Sequence, residues 1–417
     1  MDHRLNPRKA FLAKTLVDRA LLQDEAPVMG VIDFDALGRS IAAACAAFPA
    51  HFTHAFAAKA NSASEVLSFI RNNGMGCEVA SPGEFASAID AGFAPTNIVF
   101  DSPAKTIPEL RRALVEGTLL FLDNFQELAR VDEILRDSIT KSVIGVRINP
   151  QVGAGSISAT STATKFSKFG VALEDAGNRA ALIDAFVKRP WLTALHVHVG
   201  SQGCPLHLAV LGIKAVVELA HAIDLACGQP RIRTIDIGGG LPVNFSSDDA
   251  QPTFSEYASL LQRSVPVLFD GRMRVFTEFG RSIISKSGFI LARVEYTKIM
   301  GDRHIVITHA GAQIAARTVY QPDVWPLRIS ALNPRGEPKE ADLVPQDIAG
   351  PCCFAGDLLA QERPLPLLEP GDHILIHDTG GYYFSSPYIY NSLPPIDIYG
   401  VAGENEITKF RPRSIIP

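Results

Sequence analysis

From about residue 50 the chain repeats one pattern: a short apolar run, a polar turn that can start a helix, then an amphipathic stretch closed by glycine or a polar break. The eight apolar runs lie at 54–58, 76–80, 97–101, 119–122, 143–148, 195–199, 234–237 and 275–278. After the first, Ser62 to Glu65 has the spacing of a capping box and opens a helix with Val66, Phe69 and Ile70 on one face; Asn73-Gly74 stops it. Ser81-Pro82-Gly83-Glu84 repeats the signal with proline at the favoured first helical position, and Gly92 terminates. Thr106-Ile107-Pro108-Glu109 follows the third run, and a helix is expected from Asn124 to about Asp137. Continuous apolar strands alternating with helices predict a parallel sheet buried on both faces, and eight such units predict a (β/α)8 barrel, an α/β fold.

After about residue 285 the rhythm changes. Short β-like runs at 303–308, 327–331 and 372–377 stand among Pro and Gly with no long helical pattern between them. The expectation is a barrel at 35–284, a β-domain at 285–417, and an N-terminal segment, 1–34, whose apolar run at 28–34 joins the β-domain.

Composition narrows the class. The chain has 417 residues, is 47% hydrophobic and 20% charged, and has a net charge of −5, which does not suggest a nucleic-acid partner. The apolar stretches read as strand-sized or interrupted by charge, and Met1-Asp2-His3-Arg4 does not begin a signal peptide, so a cytoplasmic, non-membrane protein is expected. Six cysteines without paired metal-binding spacing fit a reducing compartment, and no metal is expected.

In such a barrel chemistry gathers where the strands end. Lys59 ends the first run, and a desolvated lysine is what Schiff-base chemistry needs, because only the neutral amine attacks a carbonyl. A snorkelling surface lysine is the plainer alternative. Glu78 lies on the second run, Arg147 ends the fifth, and His196-Val197-His198-Val199-Gly200-Ser201-Gln202 ends the sixth. Alternation sends both histidines to one face, where either could instead be a satisfied core residue. Gly238-Gly239-Gly240 follows the seventh run and offers side-chain-free N–H groups suited to phosphate, although tight turns need glycine anyway. Glu278-Phe279-Gly280-Arg281 closes the eighth. A lysine for an aldehyde, glycines for a phosphate, an imidazole for a flat ring and a carboxylate for a ring nitrogen together meet the needs of pyridoxal 5'-phosphate.

At these positions the chain resembles the barrel-type (fold type III) pyridoxal-phosphate decarboxylases, the alanine racemase-like group that includes diaminopimelate and ornithine decarboxylases. The resemblance rests on Phe56-Ala57-Ala58-Lys59-Ala60-Asn61, on Gly76 to Ser81 with Glu78 where the family often has Asp, and on His198-Val199-Gly200-Ser201-Gln202. It rests further on the three glycines and on Glu278-Phe279-Gly280-Arg281, where Phe279 replaces a proline. Gly350-Pro351-Cys352-Cys353-Phe354-Ala355-Gly356-Asp357, then Gly380-Gly381-Tyr382 and Tyr390-Asn391-Ser392, resemble the family's later motifs. The resemblance implies Lys59 as cofactor lysine, His198 on the ring and Ser201, the glycines and Tyr382 near the phosphate. It also implies Glu278 at the ring nitrogen and Cys353 as proton donor from the second subunit of a homodimer, with Lys168 and Asp357 bridging the subunits.

Departures from the family bear on the substrate. Phe354 stands where the relatives have an acid, and Gln321 follows Tyr320 where ornithine enzymes have aspartate, so anionic contacts for a distal amine are lost. Arg317, with Tyr320, Phe354 and Tyr390, is the expected substrate set, and Arg317 suits a distal carboxylate. The loop at 152–164 is expected to be mobile. These features predict an amino acid with an anionic or extended polar tail, with a citryl-linked siderophore precursor as one candidate. The alternatives are diaminopimelate decarboxylase proper, an amino-acid racemase, or a non-catalytic relative; Glu278 opposes the racemase, which places arginine at the ring nitrogen.

Overall fold

A computed structural model describes residues 4–410. Strand β1 (Val28–Asp33) comes first, followed by β2 (Phe52–Ala57), β3 (Gly76–Val79), β4 (Ile98–Asp101), β5 (Leu119–Leu122), β6 (Val143–Asn149) and the short β7 (Val171–Ala172). Next come β8 (Leu192–Val197), β9 (Thr234–Asp236) and β10 (Arg274–Thr277). Apart from β1 and β7, these strands close a ring in the order β2-β3-β4-β5-β6-β8-β9-β10, parallel at every step and completed by the β10–β2 pairing. The eight-stranded barrel is therefore present. Its interior is packed, with Ala55, Val99, Phe121, Ala194 and Phe276 in one buried cluster. Gly145 on β6 makes room for the Phe121 ring, which a Cβ there would strike.

The helix-start signals are met unevenly. Thr106 and Glu109 form a complete capping box, whereas Ser81 accepts from Glu84 N–H while the Glu84 carboxylate turns to Ala80 N–H at 2.8 Å. The box expected at Ser62 does not form: the helix is Ser64–Asn72, with Ala63 at its cap and no side-chain cap bond. Ser62 is buried there, which removes it from the helix end.

One long apolar helix is of the kind interrupted by charge, at Lys214, Glu218 and Asp224. Leu206–Cys227 is long and apolar enough, by length and composition, to cross a membrane. It is a barrel helix: Leu208, Ile213, Val216, Leu219 and Ile223 are buried, and it packs on β8 and on the neighbouring helices Asn178–Lys188 and Phe254–Ser264.

The second unit is a mixed sheet of β1, β11 (Gly288–Met300), β12 (Arg303–Thr308), β13 (Ile329–Leu332), β14 (Leu343–Ala349), β15 (Leu358–Pro366), β16 (His373–Ile376), β17 (Asp397–Ala402) and β18 (Glu406–Lys409). β1 lies inside it, antiparallel to β11 and parallel to β17. Compact units divide the chain into residues through Arg39 with Asn244–Ala250 and everything from Ile284, and a barrel unit of Ser40–Val243 with Gln251–Ile283. Asn244–Ala250 groups with the β unit through Asp248, whose carboxylate pairs with Lys9 at 2.7 Å and with Arg328 at 2.6 Å.

Candidate active site

The ends of the barrel strands carry a dense set of buried ionisable groups. Lys59 sits in a single helical turn, Ala58–Ala60, directly after β2, and its ammonium donates to Glu78 Oε2 at 2.8 Å. The Lys59 side chain is 42% exposed while that of Glu78 is 1% exposed. Burial raises the Glu78 pKa to about 8, the Glu278 charge adds to the rise, and Lys59 opposes it. Asp101, at the end of β4, pairs with Arg147 on β6. Burial alone would raise its pKa, but Arg147 and then His196 outweigh it and hold the group at about 2.

Three further groups converge beside that pair. His196 on β8 is fully buried, with Nε2 3.3 Å from Glu278 Oε2 and its ring 4.9 Å from that of Phe121. Asp236 ends β9 and accepts the Gly238 N–H at 2.8 Å; burial and then the Glu278 charge push its pKa well up. The ligating atoms of His196, Asp236 and Glu278 lie within 4.8 Å of one another. Glu278 follows β10 directly and its N–H donates to Gly238 O at 2.8 Å. Phe279, the departure from proline, turns away into a ring cluster with Phe48, Phe254 and Tyr257, so it packs core without displacing Glu278.

His198 and the glycines form one connected piece. The Nδ1 of His198 accepts the Gly239 N–H at 3.1 Å, which assigns the ring proton to Nε2 in the neutral form. Burial, with Arg147 and Lys59 adding, lowers its pKa well below the usual histidine range, so the ring is an uncharged plane. Gly238 and Gly240 have φ of 68° and 94°. A Cβ on Gly239 would overlap the Glu278 carbonyl, and one on Gly240 the Gly200 carbonyl. Close backbone approach thus requires these glycines. Two of the three N–H groups expected to face a ligand are already bonded inside the protein, and only that of Gly240 meets no acceptor among the described residues. Ser201 donates its N–H to Thr160 O at 3.0 Å, and Gly280 and Arg281 open the short helix after Glu278.

The loop at 152–164 is fastened to this piece. Thr162 and Ala163 N–H reach Val199 O at 3.0 and 3.2 Å, and Ser156 N–H reaches Gly203 O at 2.9 Å. Other backbone bonds are internal to the loop, such as Gly153 N–H to Ala163 O at 3.0 Å.

The described barrel residues fit pyridoxal phosphate on an observation independent of motif. Glu78 Oε1, Asp101 Oδ1, His196 Nδ1, Asp236 Oδ2 and Glu278 Oε1 are buried and meet no hydrogen-bond partner among the described residues. Buried polar atoms seldom stay unsatisfied, and a polar ligand in this ring would supply partners. Asp101, His196 and Asp236 belong to the cluster although sequence reasoning gave them no role. Their signal was position: each lies near the C-terminal end of a barrel strand.

The β unit holds the other expected residues in a different setting. Cys353 is exposed, and its N–H donates to Asn391 Oδ1 at 2.7 Å. Cys352 is buried against Gln313, and burial followed by Asp357 raises its thiol to about 11. Asp357 accepts the N–H groups of Ala312 at 2.6 Å and Cys352 at 2.7 Å, and is itself buried. These two bonds tie the turn 350–357 to the start of the helix Ala312–Tyr320. Lys168 is exposed, with its ammonium 5.0 Å from the Phe169 ring.

Tyr320, Phe354, Tyr388 and Tyr390 form one aromatic wall. Tyr320 stacks on Phe354 at 5.7 Å and 4°, Phe354 meets Tyr390 at 5.1 Å, and Tyr388 bridges Tyr320 at 5.8 Å and Tyr390 at 5.9 Å. The Tyr390 hydroxyl lies 3.5 Å from Cys353 O. Tyr388 was not foreseen; its alternation with Tyr390 was the available signal. Arg317, three residues before Tyr320 on the helix Ala312–Tyr320, lies over the rings of Trp325 at 4.5 Å and Tyr382 at 5.1 Å. Among the described residues no carboxylate pairs with it.

Comparison with known proteins agrees with this geometry. The family model described as pyridoxal-dependent decarboxylase, pyridoxal binding domain, matches residues 35–285. Diaminopimelate decarboxylase of Helicobacter pylori strain J99 is 31% identical over 347 residues, 82% of each chain. That of Pseudomonas aeruginosa PAO1 is 33% identical over 81% of this chain and 78% of its own. The crystal structure of the Helicobacter pylori enzyme complexed with L-lysine superposes with a TM-score of 0.83 at 27% identity, covering 94% of this chain and 96% of that one. With a closed barrel whose mouth fits the cofactor, and a match spanning that barrel, this chain belongs to the pyridoxal-dependent decarboxylases and is an amino-acid decarboxylase of the diaminopimelate decarboxylase-like, fold type III group.

Proposed function

We propose that the chain decarboxylates an α-amino acid whose tail ends in a carboxylate, with diaminopimelate the first compound to test. The observation that carries this is Arg317: its guanidinium lies over the Trp325 and Tyr382 rings, it meets no protein carboxylate among the described residues, and a planar fork of donors suits a carboxylate. The relatives' names support diaminopimelate chemistry. The siderophore precursor gains no support from them and is set aside.

A second reading has one observation in its favour. Phe354 stacks in the aromatic wall where relatives carry an acid, so a tail without a free distal ammonium fits this wall better than diaminopimelate does. Leaving an ammonium buried and unpaired costs several kcal/mol.

The cofactor, when bound, supplies the electron sink for the pair left on Cα as CO2 departs. Lys59 would hold the cofactor through its Nζ, whose position the Glu78 carboxyl fixes by accepting from it. Glu278 would hold a proton on the cofactor's ring nitrogen, and His196 at 3.3 Å orients that carboxylate. His198 presents its neutral ring as a stacking plane, and Arg147 is held by Asp101. The glycine turn, Ser201, Gly280, Arg281 and Tyr382 hold the phosphate. Cys353 returns a proton to Cα in the barrel site of a second copy, which makes the working form a homodimer.

CO2 release from a panel of diaminopimelate, lysine, ornithine and amide-linked dicarboxylates tests the substrate class. Arg317→Ala is expected to raise KM for the best substrate roughly 10- to 100-fold with cofactor affinity unchanged. If lysine or ornithine ranked first and Arg317→Ala were neutral, this specificity would be wrong although the decarboxylase activity stood.

A further inference from the structure

Gln202 closes the motif that begins at His198, and its carboxamide makes a two-way contact with the main chain of Val243. Nε2 donates to Val243 O at 2.8 Å and Oε1 accepts Val243 N–H at 2.9 Å. This is the pattern by which two strands pair, made here by one side chain. Val243 lies three residues after Gly240, so the contact fixes the exit of the glycine turn. The other restraints act at its start: Gly239 N–H donates to His198 Nδ1, and Glu278 N–H donates to Gly238 O. Gln202 is held in turn, its main-chain carbonyl accepting from Thr160 Oγ1 at 2.7 Å.

The turn needs such a clamp. Its glycines have no side chains to lock their conformation, two have positive φ, and glycine loses more freedom on ordering than any other residue. Only the Gly240 N–H is left without an acceptor among the described residues, and its direction depends on both ends of the turn.

We propose that Gln202 is a positioning residue that holds the turn 238–243 in the shape that receives the cofactor's phosphate; this rests on the reading that the turn binds that phosphate. Gln202 acts on the phosphate end and not on the ring or the substrate. Loss of the clamp should therefore cost affinity only for a ligand that carries a phosphate.

The test is a titration of the full chain, stripped of cofactor, with pyridoxal phosphate and separately with pyridoxal, followed by the visible band of the bound aldehyde. Gln202→Met keeps size and removes both hydrogen bonds. It is expected to raise Kd for pyridoxal phosphate about 10- to 100-fold while Kd for pyridoxal changes less than about 2-fold. Thr160→Val, which loosens Gln202 without touching the turn, should give the same selective loss on a smaller scale and guards against a Gln202 variant that fails to fold. Equal losses for the two ligands, or no loss for either in both variants, overturn the proposal. If the unaltered chain itself bound pyridoxal as tightly as pyridoxal phosphate, the phosphate reading of the turn would fall and the role of Gln202 with it. A preference for the phosphate that survives in both variants would remove Gln202 alone.

Discussion

The barrel mouth and the aromatic wall of the β unit solve opposite problems. At the mouth, Lys59, Glu78, Asp101, Arg147, His196, Asp236 and Glu278 are brought together from the ends of seven parallel strands, most of them buried, and five of their polar atoms meet no partner among the described residues. Around Cys353 the side chains are rings, several of them exposed, and Arg317 is the charged group, cushioned by Trp325 and Tyr382. Crowded buried charge is costly unless a ligand completes it, so the mouth is specialised for one fixed partner. Aromatic rings offer broad contact surface with few directional demands, which suits contact with a substrate tail. The same contrast explains where this chain departs from its family: Phe279 is absorbed by the core, whereas Phe354 changes the wall itself.

The sharpest way to break the comparison is to disable each region separately. Lys59→Ala is expected to lower kcat by roughly 10³- to 10⁴-fold and to abolish borohydride labelling of its peptide. Cys353→Ala should also be nearly inactive but still take the label. Mixing the two proteins and allowing subunit exchange should restore activity if the β unit of one copy serves the mouth of another; a stable, active monomer would end that reading.

A smaller effect is expected at the electron-sink carboxylate. Glu278→Gln should retain cofactor and lose about 100-fold in rate, about 3 kcal/mol in the barrier, because an amide cannot hold the ring proton as a carboxylate does. Unchanged turnover would point to Asp236 or another group as the nitrogen's partner.

The smallest effect concerns stability of the cofactor-free protein. Glu78 keeps its proton to about pH 8 when folded and loses it near the ordinary carboxylate value when unfolded. Between these values the unfolded chain binds fewer protons than the folded one, so this group destabilises the fold progressively as pH rises from about 4.5 to 8. Thermal melts should show Tm falling across that window, and Glu78→Gln should flatten the fall by a few degrees. An identical slope in the variant would mean that Lys59 already holds Glu78 ionised.

Local chemistry made the barrel legible: apolar runs of strand length, proline and acid at helix starts, and glycine at their ends each specify one element without reference to the rest of the chain. Lys59, Glu78, Arg147, His198 and Glu278 could be picked out because strand ends in a barrel converge. His196 could be placed on the same face as His198 but not told from a core histidine, and Asp101 and Asp236 were given no role, since a polar residue at a strand end looks the same whether it faces solvent, a core partner or a ligand. Ser62 misled for a related reason: capping spacing was present, but burial took the residue away from the helix end.

The sequence by itself determined the periodicity, the eight strand ends and the residue types placed on them, because these depend on neighbours within a few positions. Only the tertiary structure decided how those residues are paired. Long-range contacts put β1 inside the β sheet, made one wall from Tyr320, Phe354, Tyr388 and Tyr390, set the Asp357 carboxylate on the Ala312 N–H, and let Gln202 clamp Val243. Hydrogen bonds and burial act between residues far apart in the chain, and spacing along it contains no record of which distant partner each polar atom finds.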